Sequence, residues 1–185
     1  MIPFASSEAW EAWLEENHAT SDGLRIMLAK KGSGLETVSV AEAIEVALCY
    51  GWIDSQAEGF DERYWLLRFT PRRPRSKWSK RNRDKATRLI QEGRMKPAGL
   101  REVERAMSDG RWDAAYDSPS TATVPEDLQR ELDRNEEAKN FFATLDSQNR
   151  YAILYRIQDA KKPETRARRI EKYITMLREG RKLHP

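Results

Sequence analysis

Apolar residues recur at helical spacing early in the chain. In "SSEAWEAWLEENH", Trp10, Trp13 and Leu14 follow a serine and early acids, which predicts an amphipathic helix. "GLRIMLAKKGSG" predicts a strand closed by a Gly/Ser turn. "VSVAEAIEVALCYGW" predicts a second helix, capped by Ser39, with Val40, Ala43, Ile44 and Ala47 on one face and Gly51 at a left-handed C-cap. Two β-prone runs, 52–58 and 63–70, flank a Gly-containing loop and predict a hairpin. A four-residue loop would set Glu58 opposite Arg63 and Trp52 opposite Phe69.

From residue 76 the pattern is helical to the end. Ser79 is placed to cap a helix running to Gly93, and Pro97 to open the next, which stops near Gly110. "DGRWDAAYDSPSTATVP" is rich in turn residues. Pro125, Asn135, Ser147 and Pro163 each open a short helix, and Ile170, Tyr173, Ile174 and Leu177 form the buried stripe of the last. The fold class is therefore α+β: a small antiparallel sheet of about three strands with helices in the N-terminal half, and an all-helical C-terminal half. The organisation expected is an α+β part with a hairpin over 1–75 and a helical part over 76–185, packed as one unit, with a sub-boundary at 110–125.

Several functional classes are removed by what the chain lacks. The N-terminus has no basic start and no apolar core of signal-peptide length, and no run of about 18 apolar residues occurs, so a cytoplasmic protein without membrane insertion is expected. The single cysteine, Cys49, lies in an apolar run and reads as a buried, inert thiol. His18 and His184 are far apart and no metal-ligand spacing exists, so no metal and no cofactor are expected.

Charge changes the picture more. The whole chain carries a formal +3, but residues 1–67 hold 4 basic and 12 acidic groups, and residues 68–88 hold 10 basic groups against Asp84 alone. In "RFTPRRPRSKWSKRNRDKATR", Pro71 and Pro74 keep the chain extended, and arginine outnumbers lysine seven to three. A guanidinium grips phosphate or carboxylate with two parallel N–H groups, where lysine acts as a point charge. The segment thus nominates Arg68, Arg72, Arg73, Arg75, Lys77, Trp78, Lys80, Arg81 and Arg83 as an anion-binding surface, Trp78 offering a ring for stacking. Internal pairing with the acidic first third, or a plain solvated surface, is the alternative for the same residues.

No G-x-S-x-G elbow, phosphate-binding glycine loop or metal cluster appears. "WIDSQ" is the one polar cluster with possible chemistry: on a strand, Trp52, Asp54 and Gln56 would share a face, with Arg68 on the neighbouring strand near Asp54. Asp54 is then the candidate acid or base, and a structural Asp54–Arg68 pair is the alternative. Trp112 and Tyr116, four apart, are expected to pack on one helical turn. Arg166, Arg168, Arg169 and Lys172 read as the wet face of the last helix.

Five blocks, "GWIDSQ", "RFTPRRPRSKWSKRN", "LIQEGRMKPAGL", "DGRWDAAY" and "AKKPETRARRI", together resemble the YdeI/OmpD-associated, or bacteriocin-protection, family over about residues 20–178. The resemblance implies a small cytoplasmic protein with an α+β N-terminal part and a helical C-terminal part. It also implies a link to envelope stress, porins or tolerance of antimicrobial peptides, and it assigns no catalytic residue. A non-enzymatic accessory protein meeting an anionic ligand (a phosphate-containing molecule, nucleic acid or an acidic protein surface) is therefore the first expectation. An enzyme with a polar pocket around Asp54, Gln56 and Arg68 is the second. A homo-oligomer, its basic strip on a neighbour's acidic third, is the third.

Overall fold

Alternation of apolar and polar residues produces a four-stranded sheet. Strands β1 (Ile2–Pro3), β2 (Leu24–Ala29), β3 (Trp52–Gly59) and β4 (Tyr64–Pro71) lie in the order β1-β2-β4-β3. In this computed structural model, which describes residues 1–185, the chain forms two compact units, Met1–Ala115 and Tyr116–Pro185. The first is mixed α and β, and the second is entirely helical.

Three strands pair antiparallel as expected, and the fourth, β1, adds to β2 in parallel through Ile2 and Pro3. Two residues are too few to show a period, so this strand left no sequence signal. The hairpin register differs from the expected one: Trp52 faces Pro71, Asp54 faces Phe69 and Glu58 faces Leu66. Two local causes shift it. Asp61 Oδ1 accepts from the N–H groups of Arg63 (2.8 Å) and Tyr64 (2.7 Å), which widens the turn so that Glu58 meets Leu66 instead of Arg63. A bulge between Asp54 and Ala57 then adds a residue to β3. In the sheet order, β3 has a partner on one side only, and its second half, Ser55–Gly59, is exposed.

Helices α1 (Ser7–Asn17), α2 (Val40–Cys49), α3 (Lys80–Gln91) and α4 (Pro97–Ser108) complete the first unit. Ser6 and Ser79 accept from the N–H two or three residues into α1 and α3, and Ser39 with Glu42 closes a capping box on α2. The core joins one sheet face to α1 and α2 through Trp10, Leu14, Ile26, Ala43, Ala47, Trp52 and Phe69. Burial of each large side chain contributes on the order of 3 kcal/mol. Both central indoles also satisfy their donors: Trp10 Nε1 donates to Ala43 O at 3.1 Å and Trp52 Nε1 to His18 O at 3.2 Å.

α4 crosses the end of α2 at near backbone contact. Gly51 has φ +73°, as a left-handed cap requires, and a Cβ on Gly99 would stand 2.3 Å from Cys49 O.

In the second unit, α5 (Glu126–Asp133), α6 (Glu136–Thr144), α7 (Ser147–Gln158) and α8 (Pro163–Arg178) bury Leu128, Leu132, Phe142, Ile153 and the predicted stripe of Ile170, Tyr173, Ile174 and Leu177. Arg166 grips Asp127 with two N–H groups, at 2.5 and 2.8 Å, and so belongs to the packing of α8 on α5 rather than to a wet face. Buried Asn149 ties the tail to α7, its Oδ1 accepting from the N–H groups of Leu183 and His184.

The α2–α4 contact gives a clear expectation. Gly99→Ala must push backbone against backbone, costing about 3 kcal/mol or more. Thermal unfolding should then show a loss of more than about 10 °C. Gly59→Ala, with no atom within 4 Å of the added Cβ, should leave the midpoint almost unchanged. Equal midpoints for the two variants would contradict this packing.

Candidate anion-binding turn

Past Pro71 the chain leaves the sheet and folds into a short basic turn before α3. Arg72 N–H donates to Gly51 O at 2.9 Å, so the turn begins against the cap of α2. The Arg72 side chain goes inward. It is 5 % exposed, its guanidinium lies 3.6 Å over the Trp78 ring, and its Nη1 donates to Lys77 O at 3.2 Å. A desolvated cation on an indole face is worth about 2 kcal/mol. Within the turn, Ser76 N–H donates to Arg73 O at 2.9 Å and Arg73 N–H to Ser76 Oγ at 3.0 Å.

A second guanidinium holds the turn from the loop after α4. Arg111 Nη1 donates to Ser76 O at 2.7 Å, while its Nε donates to both oxygens of Asp109, at 2.8 and 2.7 Å. Trp112 packs edge-on against Trp78, with ring centroids 4.9 Å apart. Two arginines and two tryptophans thus fix the conformation of residues 72–78, and the preorganised turn loses little entropy on meeting a ligand. "DGRW" carried the one sequence hint, repeating the Arg–Trp mixture of "RSKW".

The predicted surface residues separate into three groups. Arg73, Arg75 and Lys77 on the turn and Arg81 on α3 are exposed. Arg68 is half-buried and stands directly opposite Arg25 in the ladder of β2 and β4. Arg68, Arg73, Arg75 and Arg81 meet no carboxylate of the chain within ion-pair distance. Lys80 and Arg83 are half-buried, and Arg83 pairs with Asp84 at 3.3 Å. Arg72 and Trp78 are interior, which corrects the expectation that Trp78 offers an open stacking face: its ring already carries a guanidinium on that face.

Internal neutralisation occurs at the other end of the segment. Glu45, from the acidic first third, receives Lys85 at 2.8 Å, Arg88 at 2.5 Å and Arg94 at 3.7 Å. Burial pushes its carboxyl up, but the Lys85 hydrogen bond and the three positive charges outweigh burial and leave it below the usual carboxylate range. Glu11 and Glu15 go to Lys96. Three acids of the first third, Glu11, Glu15 and Glu45, are therefore paired with cations at residues 85–96, beyond the turn.

The other candidates do not assemble. Trp52 is buried, Gln56 is exposed, and the bulge breaks the alternation that would have put Asp54 and Gln56 on one face. Asp54 pairs across the sheet with Phe69, and Arg68 with Arg25 and not with Asp54. Trp112 packs on Trp78, and Tyr116 packs on Tyr155. Cys49 is 4 % exposed, and burial pushes its thiol up to about 11. A cavity of about 720 Å³ sits where α1 and α2 begin, beside Lys30 and Lys31. Glu8 and Glu42 share that rim, and Glu42 already accepts from Ser39 N–H.

Glu45→Gln should expose this division of charge. With its folded carboxyl below the ordinary value near 4.3, Glu45 contributes stability that is complete above that value and is lost as pH falls through the folded one. Unfolding by urea should find the variant about 1–2 kcal/mol weaker at pH 7, with the gap closing towards pH 3. A gap that is independent of pH would contradict the assignment.

Comparison with known proteins places the two units in two family models. Residues 2–102 match the model described as Domain of unknown function (DUF8412), and residues 121–180 match that of the Bacteriocin-protection, YdeI or OmpD-Associated family. No curated protein and no solved structure matches the chain. Of the five blocks, "AKKPETRARRI" falls in the YdeI or OmpD-associated match, "GWIDSQ", "RFTPRRPRSKWSKRN" and "LIQEGRMKPAGL" fall in the other, and "DGRWDAAY" falls in neither. The chain thus belongs to the DUF8412 family over more than half its length, and its residues 121–180 match the model of the Bacteriocin-protection, YdeI or OmpD-Associated family.

Proposed function

We propose that this is a non-enzymatic accessory protein of the cytoplasm that meets an anionic macromolecule through the turn at 72–78 and the start of α3. The observation that carries the reading is the pairing of rigidity with unspent charge. Arg72 and Arg111 hold the turn by its carbonyls, while Arg73, Arg75 and Arg81 project from it without a carboxylate of the chain. Exposed guanidiniums on a fixed backbone align with successive phosphates or carboxylates at small entropic cost. Arg68 extends the strip into the sheet, where it stands opposite Arg25, whose own guanidinium pairs with Glu58 at 3.7 Å.

The buried Trp78 supports contact with a backbone of charges over stacking on bases, since no ring of the turn remains open. No helix is long and apolar enough to cross a membrane. The description of the second domain's family, bacteriocin protection, supports a role in tolerance of envelope attack.

Fluorescence anisotropy with a labelled oligonucleotide tests the reading. With four or five charge contacts, log affinity should fall against log salt with a slope of roughly −3 to −4. Replacing Arg73, Arg75 and Arg81 together by alanine should flatten it by about 2. A wild-type slope near zero removes the nucleic-acid partner, and binding of a polyglutamate peptide with the same triple-variant loss would assign the strip to an acidic protein surface. If neither polymer binds at low salt, the strip is solvated surface and the proposal fails.

A further inference from the structure

The interior side of the turn holds more donors than the chain supplies acceptors. Trp78 is 2 % exposed and its Nε1–H has no hydrogen-bond partner. Arg111 has an 11 % exposed side chain, and its Nη2 is likewise buried and unpartnered, although its Nε and Nη1 both donate. Both groups flank the same three residues. Trp78 ends the run Ser76–Lys77–Trp78, and Arg111 bonds the carbonyl of Ser76. The Arg72 guanidinium lies against the same indole, and Trp112, next in sequence to Arg111, packs on its edge.

Native proteins rarely leave buried donors unsatisfied, and a place lined by N–H groups and positive charge calls for an acceptor that brings no donor of its own. Water brings two. An ionised oxyanion brings none, and its bonds to indole and guanidinium are charge-assisted. The chain's own candidate, Asp109, is already held by Arg111 Nε.

We propose that the base of the basic turn is an oxyanion seat, in which Trp78 Nε1–H and Arg111 Nη2–H donate to one phosphate or carboxylate group of the anionic partner. The turn covers the seat. The bonds of Arg111 Nη1 and Arg72 Nη1 to the carbonyls of Ser76 and Lys77 use other atoms and stay in place as the group settles. This deepens the reading above and rests on it for the direction from which the partner arrives. The exposed arginines gather the anion, and the seat fixes one group of it.

Nitrogen-15 spectra of the full chain resolve the indole N–H signals of its six tryptophans. Inorganic phosphate and acetate are titrated separately, with ionic strength held constant by sodium chloride. One indole signal, identified by its loss in Trp78→Phe, should move downfield and saturate, while the other five stay. Arg111→Lys, which keeps the charge and shortens the fork, should weaken that titration at least tenfold and identifies the same signal should Trp78→Phe not fold. Saturation by phosphate alone assigns a phosphate group, by acetate alone a carboxylate, and by both a general oxyanion seat. A Trp78 signal that stays still, or drifts without saturating, overturns the seat, as does an Arg111→Lys titration equal to the wild type. The Arg73, Arg75 and Arg81 triple variant separates the two proposals: it should lose polymer binding yet keep the indole shift. Polymer binding with an unmoved indole sinks the seat alone, and an indole shift without polymer binding sinks the strip alone.

Discussion

A guanidinium buried on an indole ring organises the junction between sheet and helices. Arg72 follows directly after β4, bonds through its backbone to the cap of α2, and stacks its side chain on Trp78, one residue before the cap of α3. A charge taken out of water is costly unless its N–H groups and its ring contact are supplied together. That requirement leaves residues 72–78 few alternatives. The turn keeps its shape because its inward arginine has somewhere specific to go, and its outward arginines keep their directions for the same reason.

Charge in the first unit is divided by this geometry and not averaged. Glu45 collects Lys85, Arg88 and Arg94, and Glu11 and Glu15 collect Lys96, all on the α2 side of α3 and α4. The two prolines hold Arg73 and Arg75 away from those acids. A sequence-wide charge close to neutral therefore coexists with a local cationic strip, as a helix-forming segment in place of "TPRRPRS" would not allow.

Much of the fold was legible because it rests on local chemistry. Ser39, Ser79, Pro97 and Pro163 announce their helices through donors that need acceptors or through a missing N–H, and such needs are visible in a few consecutive letters. The register of the hairpin was not legible. It depends on the side chain of Asp61 and on one inserted residue in β3, and a period-2 pattern survives neither. The candidate site was half legible for a related reason. Patterning counts every arginine as surface, so it could nominate Arg73, Arg75 and Arg81 but could not foresee that Arg72, in the same run, belongs to the core. Nor could it join "RSKW" to "DGRW" across thirty residues of intervening helix.

The bulge in β3 has a consequence for the solution behaviour of the protein. An eight-residue strand at the rim of a sheet is a template on which a second molecule could continue the ladder, the first step of ordered self-association. Here the rim is interrupted at Asp54 to Ala57 and carries Asp54 and the Glu58–Arg25 pair, so a copy arriving alongside meets a twisted, charged border instead of an even row of amides. The irregularity that hides the register from sequence inspection also makes this edge a poor template for a second copy.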